Sequence, residues 1–151
     1  MLNAREVLSR VKRLKAFDQM EETDYTPLYY KQEFTPAAGG AISAPQGQDF
    51  PNGGIIIGIS ASAFVPNAAP AAGRMRHLFQ IDFTYTNNQA LLVNGPVCAD
   101  ALMGGGDSDL FPVREIIVAP TQKLMCRTAN NTNGPLTVHV VYHCLVYRLQ
   151  S

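Results

Sequence analysis

Between residues 75 and 86 the chain alternates without a break. Met75, His77, Phe79, Ile81, Phe83 and Tyr85 stand against Arg76, Leu78, Gln80, Asp82, Thr84 and Thr86. Side chains of a strand point to opposite faces in turn, so the pattern predicts a long, half-buried antiparallel strand. A second long strand is expected over 136–149. Its even positions, Leu136, Val138, Val140, Tyr142, Cys144 and Val146, form a continuous apolar face. Its odd positions run Thr137, His139, Val141, His143, Leu145, Tyr147 and Leu149, beginning polar and becoming apolar. One face is therefore expected in the core throughout. The other is expected to be covered at one end, by the N-terminal segment or a second subunit, which marks Leu145 and Tyr147 as candidate contact residues.

Shorter signals fill in the rest. Tyr25 to Phe34 alternates loosely, as a first strand. Gly54 to Ile59 is an apolar run bounded by turn residues, read as a buried strand. Val113 to Val118 and Gln122 to Arg127 are two more strands. Val97 to Met103 fits either a short strand or one helical turn. Stretches rich in Gly, Pro and Ala at 35–53 and 65–73, a Gly104-Gly105-Gly106 run, and 128–135 are loops. A parallel sheet would need crossover helices, which this pattern lacks. The fold class is therefore mainly β: an antiparallel sandwich or jelly-roll-like body preceded by an N-terminal helix and extended arm.

The helix is read from a different period. Ala4, Val7, Leu8, Val11 and Leu14 follow helical spacing, with Asn3 as a cap and Glu6 three positions later. No second helix is expected for this stripe to pack on, so Val7, Leu8, Val11 and Leu14 are candidate contacts with the sheet body or a neighbouring subunit. Charge sharpens the division. Arg5, Arg10, Lys12, Arg13 and Lys15 crowd the first fifteen residues, and Asp18, Glu21, Glu22, Asp24 and Glu33 follow, whereas the rest is sparsely charged. The expected organisation is a helical arm over 1–24, a first strand, linker and loop over 25–53, and a β-sandwich body over 54–151.

Composition narrows the class. The chain has 151 residues, 46% hydrophobic and 16% charged, with zero formal net charge. It has too many apolar residues to be disordered and lacks the basic excess of a general nucleic-acid binder. No apolar run approaches the ~18 residues of a membrane span. Residues 1–17 lack the unbroken apolar stretch of a secretory signal, so the chain is expected to stay in the compartment where it is made. Cys98, Cys126 and Cys144 have no CxxC spacing and read as small buried hydrophobes. Asn130-Asn131-Thr132 has the form of a glycosylation acceptor and reads as part of a turn.

Candidate chemistry is thin. His139 and His143 share a strand face, but four residues of strand put them roughly 13 Å apart, too far to share a zinc ion alone. Asp107 and Asp109 lack the remaining ligands of a calcium loop. Ser60 in Gly58-Ile59-Ser60-Ala61-Ser62 has no second glycine and no following helix, as a nucleophile elbow requires. The expectation is a protein that is not an enzyme, with no catalytic residue, cofactor or metal. A body poor in Lys and Glu and rich in Ala, Asn, Gln, Thr and Gly suits subunit contacts.

One resemblance bears on this. The strand Leu78 to Thr86, Ala101-Leu102-Met103-Gly104, Ile116 to Pro120, Asn130 to Asn133, Leu136 to Tyr142 and Tyr147-Arg148 resemble the β-sandwich structural proteins of tailed-bacteriophage virions, capsid decoration (cement) proteins most of all. The resemblance covers about residues 54–151 and carries over no site residue. It implies a homo-oligomeric subunit that binds the major capsid protein or another virion protein, assembled in the host cytoplasm, with no direct contact to nucleic acid or membrane. A tail, collar or fibre-attachment subunit fits the same pattern. A jelly-roll carbohydrate-binding module is a third reading, which the absence of Trp disfavours.

Overall fold

A computed structural model describes residues 25–51, 53–68, 74–85, 91, 95–103, 116–120 and 122–147. The helical stripe Val7, Leu8, Val11 and Leu14, the arm that carries it, and Asp107 and Asp109 lie outside these residues. The strands are β1 (Tyr25–Phe34), β2 (Gln46–Asp49), β3 (Gly54–Phe64), β4 (Phe79–Tyr85), β5 (Val97–Cys98), β6 (Ile116–Val118), β7 (Lys123–Asn130) and β8 (Thr137–Tyr147). They form two four-stranded sheets, β1-β8-β3-β6 and β2-β7-β4-β5, called here sheets A and B. Every pairing is antiparallel. The mainly-β, sandwich-like architecture expected from the alternation is present.

The even face of β8 lies in the core together with Phe34, Ile56, Ile59, Phe79, Ile81, Phe83, Leu124 and Cys126. Two sheets each bury one face, and their inward side chains interdigitate to remove apolar surface from water. An aromatic group sits at the centre. Phe50 meets Tyr142 edge-on at 5.7 Å and Tyr30 at 5.1 Å, and Phe83 meets Tyr142 at 6.3 Å.

Residues 25–53 contribute more than a strand and a linker. β1 pairs with β8 over its whole length, from Tyr25 opposite Tyr147 to Phe34 opposite Val138. Pro27 fits there because β1 is an edge among the described residues, where a missing N–H takes nothing from the ladder. The stretch read as loop then crosses to sheet B. Gly40 N–H donates to Asn130 O at 2.8 Å, Ser43 N–H to Thr128 O at 2.8 Å, and β2 pairs with Leu124 and its neighbours on β7. Its Gly and Pro content hid an edge strand whose hydrogen bonds go to a partner about eighty residues away in sequence.

Two local irregularities shift the expected periods. In β3, Ile56 pairs with Cys144 and Gly58 with His143, so Ile57 is an inserted bulge residue. The insertion lets Ile56 and Ile59 both face inward. Before β4, Met75 adopts a left-handed backbone (φ 51°) and Arg76–Leu78 form a 3-10 turn. The strict alternation therefore starts at Phe79 rather than Met75, which leaves His77 exposed and Arg76 buried. Val97 to Met103 holds both alternatives: β5, then a short helix α1 (Ala99–Met103).

Candidate interaction face

The groups with chemical capability collect on the outer face of sheet A, the side of β8 opposite the core. Register places them in rows across β1, β8 and β3. Tyr29 lies opposite His143, which lies opposite Gly58. Lys31, Val141 and Ser60 form the next row. Glu33, His139 and Ser62 form the third, and Thr137 and Phe64 the last.

Within these rows the side chains are paired. Ser60 Oγ is 3.1 Å from His143 Nε2, and the Tyr29 ring meets the His143 ring edge-on at 5.0 Å. His139 Nε2 is 3.0 Å from Glu33 Oε2, and Phe64 meets the His139 ring edge-on at 4.9 Å. Lys31 Nζ is 3.7 Å from the same Glu33 oxygen. The row between the two clusters joins them, Ser60 reaching His143 and Lys31 reaching Glu33, with Val141 in the middle. Glu33 meets His139, while Ser60 meets His143, so among the described side chains the Glu33 carboxylate and the Ser60 hydroxyl reach different imidazoles. Among the described residues, no three His, Cys, Asp or Glu side chains gather as a metal would require.

The face is unevenly open. Tyr29 is 62% exposed, Phe64 40% and Ile117 37%. By contrast Ile55 and Leu145, directly opposite each other, are each 1% exposed. Leu145 was expected at a subunit contact, but its side chain is covered within the single chain and is not presented to a partner in this conformation. The backbone of Tyr147 pairs with Tyr25 at the end of the ladder. Tyr29, Glu33 and Phe64, none of them a candidate contact in the sequence reading, are exposed on this face, as are Lys31 and Ile117. Their convergence depends on register, and the bulge at Ile57 sets the register of β3.

The outer face of sheet B differs. Asp82, on the polar side of the β4 alternation, is 1% exposed and ion-paired to Arg127 opposite it on β7. Arg127 Nε also donates to Asp82 Oδ2 at 3.1 Å, while the buried Asp82 Oδ1 has no hydrogen-bond partner.

The cysteines are free: Cys126 and Cys144 are buried and Cys98 is half-buried. Burial pushes the Cys144 thiol up to about 12. Burial also raises Cys126, with the Asp82 charge adding to it, and raises Cys98, with Asp100 adding to it. A thiol so shifted is a weak nucleophile, because the reactive species is the thiolate. Asn130, the formal glycosylation acceptor, is fully buried, and both its amide atoms are bonded within the chain.

No helix among the described residues is long and apolar enough to cross a membrane. No protein-family model, curated protein or solved structure matches this chain.

Proposed function

We propose that this chain is a structural virion subunit that decorates and stabilises a phage capsid shell, and that it docks through the outer face of sheet A. The observation that carries the reading is the exposure of Tyr29 and Phe64 on a hydrogen-bonded sheet. Aromatic side chains held on a rigid surface offer large contact area at little conformational cost, and aromatics are enriched where protein surfaces meet. The polar groups between them, Lys31, Glu33 and His139, are already held in place by one another, so docking orders few new side chains. The resemblance of residues 54–151 to capsid decoration proteins supplies the kind of partner. The charged N-terminal arm would add a second contact to a neighbouring subunit or to the shell.

The test is binding to isolated shells assembled without this chain, read by co-sedimentation and by copy number per shell protein. Saturable binding at a fixed ratio, weakened by Tyr29→Ala with Phe64→Ala, is the expected result. Protein that stays in the supernatant at every concentration would overturn the reading. An exposed Tyr29 would also serve as a stacking platform in a carbohydrate-binding module. Glycan binding lost in Tyr29→Ala, with no shell binding, would establish that second reading instead.

A further inference from the structure

We propose that Asn133 is a site of spontaneous deamidation, with the backbone nitrogen of Gly134 as the attacking group. The reaction is intramolecular. The nitrogen of the following residue attacks the side-chain amide carbon, its proton passes to solvent base, and ammonia leaves as the five-membered succinimide closes. Water then opens the ring at either carbonyl, giving aspartate or isoaspartate. Water is the only co-reactant. The step needs an accessible amide, a following nitrogen free to lose its proton, and a following residue without a side chain in the way.

Four asparagines fall among the described residues: Asn67, Asn130, Asn131 and Asn133. Only Asn133 meets all three conditions. The nitrogen after Asn130 belongs to Asn131 and donates to Leu78 O at 2.9 Å. The nitrogen after Asn131 belongs to Thr132 and donates to Asn130 Oδ1 at 2.8 Å. The nitrogen after Asn67 belongs to Ala68, which carries a methyl group and donates to Val65 O at 3.2 Å. Gly134 N–H reaches only Thr132 Oγ1, at 3.4 Å, a long contact that holds the proton weakly. The Asn133 residue is exposed, and its side chain makes no hydrogen bond among the described residues. A Cβ placed on Gly134 would meet nothing within 4 Å, so the space around the attacking nitrogen is open.

The site sits in a clasp. Asn130 Nδ2 donates to Gly134 O at 2.8 Å and reaches Pro36 O at 3.4 Å. Thr132 Oγ1 donates to Asn130 Oδ1 at 2.6 Å. Aspartate at 133 adds one negative charge and leaves this clasp intact. Isoaspartate routes the main chain through the β-carbon, lengthens the segment between Thr132 and Gly134, and pulls Gly134 O away from Asn130. The β7–β8 connection and the strap at 36–40, which Asn130 and Thr132 hold to β7, would loosen together.

The experiment ages the purified full chain in mildly alkaline buffer and maps the peptides by mass. The expected result is a peptide containing Asn133 that becomes heavier by about 1 Da, splits into two chromatographic species, and releases ammonia in step. Asn67, Asn130 and Asn131 should stay intact over the same period. Asn133→Gln should abolish the change, and Asn133→Asp should give the charge shift without faster proteolysis near residues 36–40. An Asn133 peptide that keeps its mass would overturn the proposal, whatever ammonia is released elsewhere in the chain. So would deamidation that appears first at Asn67, Asn130 or Asn131.

Discussion

The Tyr142 hydroxyl donates to Gln32 Oε1 at 2.7 Å inside the core. Gln32 Nε2 in turn reaches Gln46 O on β2 at 3.3 Å, so one polar thread runs from β8 through β1 to the other sheet. Burial holds the Tyr142 phenol well above its ordinary pKa, with Cys126 and Cys144 adding to the shift, and it remains a donor. Tyr142→Phe leaves the Gln32 oxygen buried without a donor and should cost about 1–2 kcal/mol. Replacing Gln32 and Tyr142 together with apolar residues should cost less than the two single changes combined. A double-mutant cycle by urea unfolding measures the difference.

The Asp82–Arg127 pair should respond asymmetrically. The Asp82 side chain is 1% exposed and that of Arg127 34%. Arg127→Met strands a buried carboxylate and should cost about 3–5 kcal/mol. Asp82→Asn leaves a guanidinium that water still reaches, and its cost should be smaller, about 1–2 kcal/mol. Equal losses in denaturant unfolding would mean that Asp82 is better solvated than its burial indicates.

Stability should fall in alkali. In the unfolded chain a thiol loses its proton near about 8.5 and a phenol near about 10. In the folded chain Cys144 holds its proton up to about 12, and Cys126 and Tyr142 are raised as well. The folded state therefore binds more protons than the unfolded state above the unfolded values. The stabilisation is complete below pH ~8 and is lost as pH rises through the folded values. Melting curves from neutral to strongly alkaline buffer should show a plateau and then a decline, with a shallower decline in Cys144→Ala. Thiol labelling of the native protein should reach Cys98 first, and Cys126 and Cys144 only on unfolding.

Leu145→Glu places a charge where the chain leaves 1% exposure. The loss should fall on folding of the single chain, at about 3–5 kcal/mol. Tyr29→Ala, at a residue 62% exposed, should leave the melting temperature nearly unchanged. A melting curve beside a solution mass for each variant separates the two cases. A Leu145→Glu chain that melts normally would mean that its cover is easily displaced.

Val140→Ala removes two methyl groups from a fully buried position in β8. Transfer accounts for about 1.6 kcal/mol and a residual cavity adds to it, so the expected loss is about 2–3 kcal/mol in urea unfolding.

The sequence by itself determined which side of β8 faces the core. Side-chain alternation is a local property of the extended backbone, and the even positions Val138, Val140, Tyr142, Cys144 and Val146 declare it without reference to any partner. The same alternation put Phe79, Ile81 and Phe83 on one side of β4, and the packed chain buries all three. It failed just before them, where the positive φ of Met75 turns the chain and buries Arg76, whose Nε donates to Ala61 O at 2.9 Å. It also passed over β2, because an edge strand rich in Gly and Gln carries little apolar period of its own and is recruited by β7. The candidate face was hidden for a related reason. His139 and His143 could be placed on one side of β8, but their partners come from β1, more than a hundred residues earlier, and from β3 beyond a bulge. Cross-strand neighbours are set by register, and register is decided only when the two sheets close on a common core. The burial of Leu145 and Asp82 belongs to the same level. Both lie on faces that alternation assigns away from the core, and only the packed chain decides what covers them.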